Sequence, residues 1–478
     1  MTDIFMMQQI MKRIIDTNDS SIEKVLCQSY FFQLWNAEND FLISYVIEHF
    51  DEVIEATFLL NEKYSLRFSK RCNQILVRYS SQKILSRLAK ETNLIDWMIN
   101  IMFKIDQHSY KTQKNFFVAL YKFLSIDEIR FNEKLINSGF YEEMIKNLKN
   151  YLIELIIKNI FIEKNHFMVR MLQRINVNKL LVNNLLSDND VLINASASIL
   201  STELNNKCYG NLPNCLVKDS KIDKLIKKAI DDKQVALMEF VQTIFEFSSS
   251  FLYSLQWKDV SKKIVSYQDN ILDCINSSEK FTKICYVCTN IVCLIYMKNK
   301  IISNKFNVLI IKMNESFFKF PTNSVLHNSF LNLIRVVSSN KKFIIQFLHE
   351  TKLHNRIIEC YENRDSIETS CYWGQLREIS YIINKYVSKI QGVDNKKWNE
   401  IVMKTNLHKE EIISKSYGGS NHIFIRARAA YKNNFFLHIF LILIILMLSV
   451  LVYRNYDYSS NGFVGIFDKI RFNNTLNK

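Results

Sequence analysis

Cys285, Cys288 and Cys293 form the densest group of side chains in this sequence with a capacity for chemistry. A C-x-x-C pair with a third thiol invites zinc, which takes four N or S ligands as a tetrahedron. On a helix these positions do not gather into a compact site, and no Cys or His stands close by in sequence to complete the set. Cysteine is also among the most buried residue types. The segment ICYVCTNIVCLIYM (284–297) is therefore expected to be a core helix, and no metal is expected. Its 14 residues are also too few to cross a bilayer. The carboxylate pairs Glu142–Glu143 and Glu410–Glu411 would do acid–base work only by converging in a pocket, and they read as helix-surface charge. The 8 glycines include no phosphate-loop spacing, and the 9 histidines are scattered, with no H-E-x-x-H. The expectation is a non-enzyme, with no catalytic residue, no cofactor and no small-molecule substrate.

Function must then sit on surfaces, and the composition says what positions them. Only 8 Gly and 2 Pro in 478 residues leave too few turn formers for an all-β chain. One core stops growing near ~250–300 residues, whereas stacked helical units escape that limit. The predicted fold is all-α, an armadillo/HEAT-like α-solenoid over residues 1–414. Helix–break–helix segments recur at 81–102, 134–148, 185–206 and 340–363. In LLSDNDVLINASASILSTELNN (185–206), SDND supplies capping groups, and Val191, Ile193, Ala195, Ile199 and Leu200 are expected on the buried face. The small residues 195–198 permit close helix approach. Gly139 is expected to end a helix in the left-handed conformation. KCYGNLPNC (207–215) reads as a looser connection. The spacing drifts, so the repeats cannot be counted.

Residues 435–453, FFLHIFLILIILMLSVLVY, contain no Lys, Arg, Asp or Glu. Nineteen helical residues rise ~28 Å, matching a ~30 Å hydrocarbon core, and the run reads as a transmembrane helix. Arg426, Arg428 and Lys432 precede it and Arg454 follows it, which favours a cytosolic main body. The expected order is a body at 1–414, a linker with a basic flank at 415–434, the anchor, and a short tail at 454–478. That arrangement is single-pass and resembles a tail-anchored protein. The start MTDIFMMQQIMKRII lacks the pattern of a secretory signal, and the ten scattered cysteines fit a reducing compartment. Of the net charge of +15, residues 415–478 contribute eight basic and two acidic groups. The remainder is spread without a dense basic block, which gives nucleic acid only a weak claim as a partner.

YWGQLREISYIIN (372–384) resembles a tract of the SAPS-domain family that reads aromatic or Met, Gly, His, Leu, then Ile and a second apolar pair. Trp373, Gly374 and Leu376 keep that pattern, and Gln375 stands where the family has His. KKWNEIVMKTNL (396–407) supplies Trp398, Ile401 and Val402 where the family has a Trp followed by an apolar pair. SIEKVLCQSYFFQLWNAENDFLISYV (21–46) is similar to the family's opening helices at Gln33, Ala37, Asn39, Leu42 and Ile43, with Trp35 in place of a Cys. NASASIL (194–200) is similar to Asn-Ala-Ser-x-x-Leu, through Asn194, Ala195 and Ser196.

The resemblance implies a regulatory subunit of a type-2A-like serine/threonine phosphatase, similar to those of protein phosphatase 6. Such a subunit is a non-catalytic helical scaffold that binds the phosphatase catalytic subunit, here held at a membrane through residues 435–453. The alternative from another class is a membrane-tethered helical-repeat adaptor for trafficking or transport. As physics, Gly374 is expected at a close approach of two helices or at a turn with positive φ. Trp373 and Trp398 are expected to pack adjacent repeats. Asn39 and Asn194 are expected either to bond backbone between helices or to meet a partner.

Overall fold

The computed structural model describes residues 2–17, 21–58, 63–124, 129–164, 166–208, 210–248, 255–300, 303–363, 372–390 and 393–414. Among them there is no strand; helices follow one another with short connections. Residues 1–393 make one compact unit and 394–478 another, whose described part is the helix Asn395–Ser414. The expected linker, anchor and tail (415–434, 435–453 and 454–478) lie outside the described residues. Within the described residues no helix is long and apolar enough to cross a membrane.

Eight helices of the larger unit form a ladder, each packed on the next. They are α1 (Phe50–Phe58), α2 (Tyr110–Leu124), α3 (Tyr151–Ile162), α4 (Asp190–Asn205), α5 (Val235–Ser248), α6 (Lys283–Asn299), α7 (Ser324–Val337) and α8 (Trp373–Val387). From α2 onward their first residues lie 39 to 49 positions apart. That interval is close to one armadillo or HEAT unit of ~40–47 residues. A second row backs the ladder: Val177–Leu185 packs on α4, Leu255–Ser266 on α5, Gln268–Asn276 on α6, Asn304–Lys319 on α7 and Lys341–Thr351 on α8. The arrangement is consistent with an α-solenoid.

Polar contacts repeat the same interval. Ser81 donates to Glu38 (2.7 Å), Arg87 to Asp40 (3.0 Å), Asn93 to Asp51 (2.7 Å) and Lys158 to Ser198 (3.0 Å). Lys228 donates to Asp188 (3.2 Å), Gln375 to Asn328 (2.8 Å), and Lys283 pairs with Glu239 (2.8 Å). The Tyr110 and Tyr151 hydroxyls share a hydrogen bond of 2.7 Å. In all of these the partners are 40 to 47 residues apart. Exposed ion pairs of this kind add only ~0–1 kcal/mol each, so they mark register, while burial of side chains such as Trp35, Phe116, Leu200 and Phe245 supplies the stability.

The helix starts follow ordinary capping chemistry. Asn39, Ser65, Ser81, Asn189, Ser303, Asn323 and Asn340 each accept a first-turn N–H. The stops are less ordinary. Gly139 has φ +75°, as expected. Five lysines also take the left-handed conformation just past a helix: Lys164, Lys207, Lys233, Lys300 and Lys352, with φ between 49° and 62°. At Lys207 and Lys233 the next N–H turns back to the carbonyls of Glu203 and Ala229, which completes a Schellman motif.

Candidate interaction surface

The segment that opens α8 builds a corner on the surface of the larger unit. Tyr372 is buried, tilted against Phe317 (5.2 Å between ring centroids) and edge-on to His327 (5.4 Å). His327 is fully buried, and its Nε2 lies 3.2 Å and 3.0 Å from the carbonyls of Phe317 and Phe320. Both neighbours are acceptors, so Nε2 carries the proton and closes the end of Asn304–Lys319. Desolvation holds this imidazole below the ordinary pKa of 6.5, which keeps it neutral. Trp373, half-buried, meets the Tyr361 ring edge-on at 5.5 Å and thus packs on the preceding helix, Leu353–Glu362. Arg356 lies over the Phe318 ring at 4.2 Å, and Phe318 in turn meets Tyr372 edge-on at 6.1 Å.

Gly374 corrects its expected role. It is exposed, its φ lies outside the left-handed region, and a Cβ built there meets no atom within 4 Å. Neither a helix–helix approach nor a special turn within the described residues requires glycine. Gln375 reaches from α8 to Asn328 on α7, and Leu376 is fully buried. The corner is therefore an aromatic floor with a guanidinium at one side and open space above Gly374.

The remaining motif positions lie elsewhere. Gln33 and Ala37 are exposed, and Ala37 only ends the helix Phe31–Asn36. Asn39 accepts the Leu42 N–H at 3.0 Å, so it bonds backbone of its own helix, Asp40–Glu48, and not between helices. Trp35, fully buried, donates its Nε1–H to Ser80 at 3.2 Å. Asn194 is exposed on α4 and, with Ser198, Thr202, Glu239 and Thr243, lines a groove of ≈ 360 Å³ between α4 and α5. Ala195 and Ser196 are buried beneath it, where α4 packs on α3, α5 and Val177–Leu185. Val191, expected to face inward, is 52% exposed. Val191 shares a face with buried Ala195 and Ile199, but it stands in the first turn of α4, ahead of the buried stretch that begins at Ile193.

These positions do not converge on one site. Between α4 and α8 the ladder places α5, α6 and α7. Trp398 is buried and belongs to the helix of the second unit.

Two features escaped the sequence reading. Glu203 is fully buried on α4; Asn178 Nδ2 donates to its Oε1 at 3.0 Å, while Oε2 has no hydrogen-bond partner among the described residues. Burial raises its pKa to about 8. Its signal was present, since 196, 200 and 203 share one helical face. Cys274 is the other, a thiol one helix before the noted cysteines. Cys285, Cys288 and Cys293 are all buried in α6, as expected. Among the described residues no three or more His, Cys, Asp or Glu side chains come together as metal ligands would.

No family model matches the chain, and no curated protein matches it. Among solved structures 46 chains match. One is the crystal structure of an engineered protein, 11% identical, with a TM-score of 0.39 over 87% of this chain and 100% of that one. A likeness this distant carries no argument about function.

Proposed function

We propose that the helical body is an α-solenoid scaffold without catalytic activity, which binds a type-2A-like (protein phosphatase 6-like) serine/threonine phosphatase catalytic subunit. Residues 435–453 would hold the complex at a membrane with the body in the cytosol. Anchoring would raise the effective concentration of phosphatase around membrane-bound phosphoproteins. The observation that carries the binding role is the open space above Gly374. Gly374 stands in the first turn of α8, where glycine still gives up more backbone freedom than alanine would, and nothing among the described residues requires it. Close approach by another molecule does account for it, beside half-buried Trp373 and Tyr361. The resemblance of residues 372–384 to the SAPS tract supplies the identity of that molecule.

The test is affinity purification of the detergent-solubilised full chain with mass spectrometry. A phosphatase catalytic subunit should co-purify, and Gly374→Trp should lose it while melting no lower than the parent. A preparation that reproducibly lacks any phosphatase catalytic subunit overturns the reading. An eluate dominated by coat or carrier proteins favours the trafficking adaptor.

A further inference from the structure

Leu66, Ser69, Lys70 and Asn73 fall three or four apart on the helix Leu66–Gln74 and so share one face. Lys111 and Asn115, four apart, share a face of α2. The two faces meet at a pocket of ≈ 340 Å³ lined by these side chains. We propose that this pocket is a binding site for a phosphoryl oxyanion, either free phosphate or the phosphate of a monoester.

The donor set selects the ligand. Ser69 is only 7% exposed, it lines the pocket, and its hydroxyl has no hydrogen-bond partner among the described residues. A buried hydroxyl left in that state is costly, and an oxygen in the pocket relieves it. The Lys70 and Lys111 ammonium groups and the Asn73 amide, which line the same pocket, also have no partner among the described residues. No described residue lining it is acidic. The carboxylates tied to the start of this helix are engaged elsewhere, Glu23 with Ser65 and Glu55 with Tyr64 (3.0 Å). Asn115 donates to the Thr57 carbonyl at 3.0 Å, so its amide N–H is committed to holding α2 on α1.

Two cations, a hydroxyl and an amide, offered without an acid, call for an anion with several acceptor oxygens. A phosphate monoester carries close to two negative charges at neutral pH and three strong acceptor oxygens. That matches two ammonium groups and two neutral donors, whereas a single carboxylate would leave one ammonium unbalanced. Lysine holds phosphate as a point charge, without the fixed fork that arginine brings. Leu66, 76% exposed, adds an apolar wall for the carbon side of an ester. The volume falls within the ~300–1,000 Å³ of small-molecule sites.

The solubilised full chain, in phosphate-free buffer at low salt, is titrated by calorimetry with inorganic phosphate and with phenyl phosphate. Binding at ~1 mM or tighter is expected, and it should weaken as salt is raised. Lys70→Gln and Lys111→Gln should each weaken it about tenfold, and Ser69→Ala several-fold. Lys227→Gln, on the helix Lys221–Asp231, should leave it unchanged. Lys70 and Lys111 are exposed, so their replacement leaves the fold intact. Phenyl phosphate binding more tightly than phosphate, with the excess lost in Leu66→Ser, supports the site and identifies an ester as its ligand. Equal binding supports the site and identifies free phosphate. No heat from either anion up to ~10 mM, or binding unaltered when Lys70→Gln and Lys111→Gln are combined, overturns the proposal.

Discussion

Burial of Glu203 raises its pKa from 4.5 to about 8, so between those values the folded chain keeps a proton that the unfolded chain has released. Stability therefore falls as pH climbs through that window and levels off above it, by a total on the order of a few kcal/mol. Glu203→Gln keeps an acceptor for Asn178 and removes the titration. The melting temperature of this variant relative to the parent should grow steadily between pH 4.5 and about 8. A difference that does not change with pH would refute this account of the buried acid. Gly374→Ala should stabilise the chain in urea denaturation, by less than the ~1 kcal/mol of a helix interior because position 374 lies in the first turn, since the new methyl meets nothing and the unfolded chain loses freedom. A loss of stability would mean that the space above Gly374 is filled from within the protein. At this scale the spacing showed most of the buried face of α8: of Leu376, Ile379, Ile382 and Ile383, three or four apart, all are buried except half-buried Ile382. It did not reveal why Gly374 is glycine, because neither φ nor empty space leaves a mark on residue spacing.

Helix starts were readable because their chemistry is specific. The SDND run places Asn189 where its Oδ1 accepts the N–H groups of Val191 and Leu192. Apart from Gly139, stops were not readable, which is why the repeats could not be counted. A left-handed residue after a helix is normally glycine, and here lysine takes the place at 164, 207, 233, 300 and 352. The positive charge suits the negative end of the helix dipole. The backbone conformation nevertheless costs an L-residue ~1–2 kcal/mol, which glycine avoids at its own entropic cost. Lys300→Gly, at the end of α6, should therefore raise stability by ~0.5–1 kcal/mol in the same denaturation assay. An unchanged or lowered midpoint would mean that the charge outweighs the strain.

The ladder and its polar links join each unit of residues 1–393 mainly to the next. Damage in such a stack stays near its origin. Leu200→Ala empties the buried face of α4 and costs ~2–5 kcal/mol. Amide exchange should quicken in α3, α5 and Val177–Leu185, which pack on α4, and stay unchanged in α1 and α8. Uniform quickening along the ladder would instead indicate one cooperative core. The all-helical fold and the helix–break–helix rhythm could be inferred from composition and period alone. The length of the unit could not, because it resides in contacts between residues 40 to 47 apart whose side chains share no motif. Those short-range links also determine how the body would behave under load. With little to brace one end of the stack against the other, tension applied along it concentrates on one rung at a time. The protein would then yield in a series of small rips, like a zip fastener, where a single-core domain of equal mass would snap once.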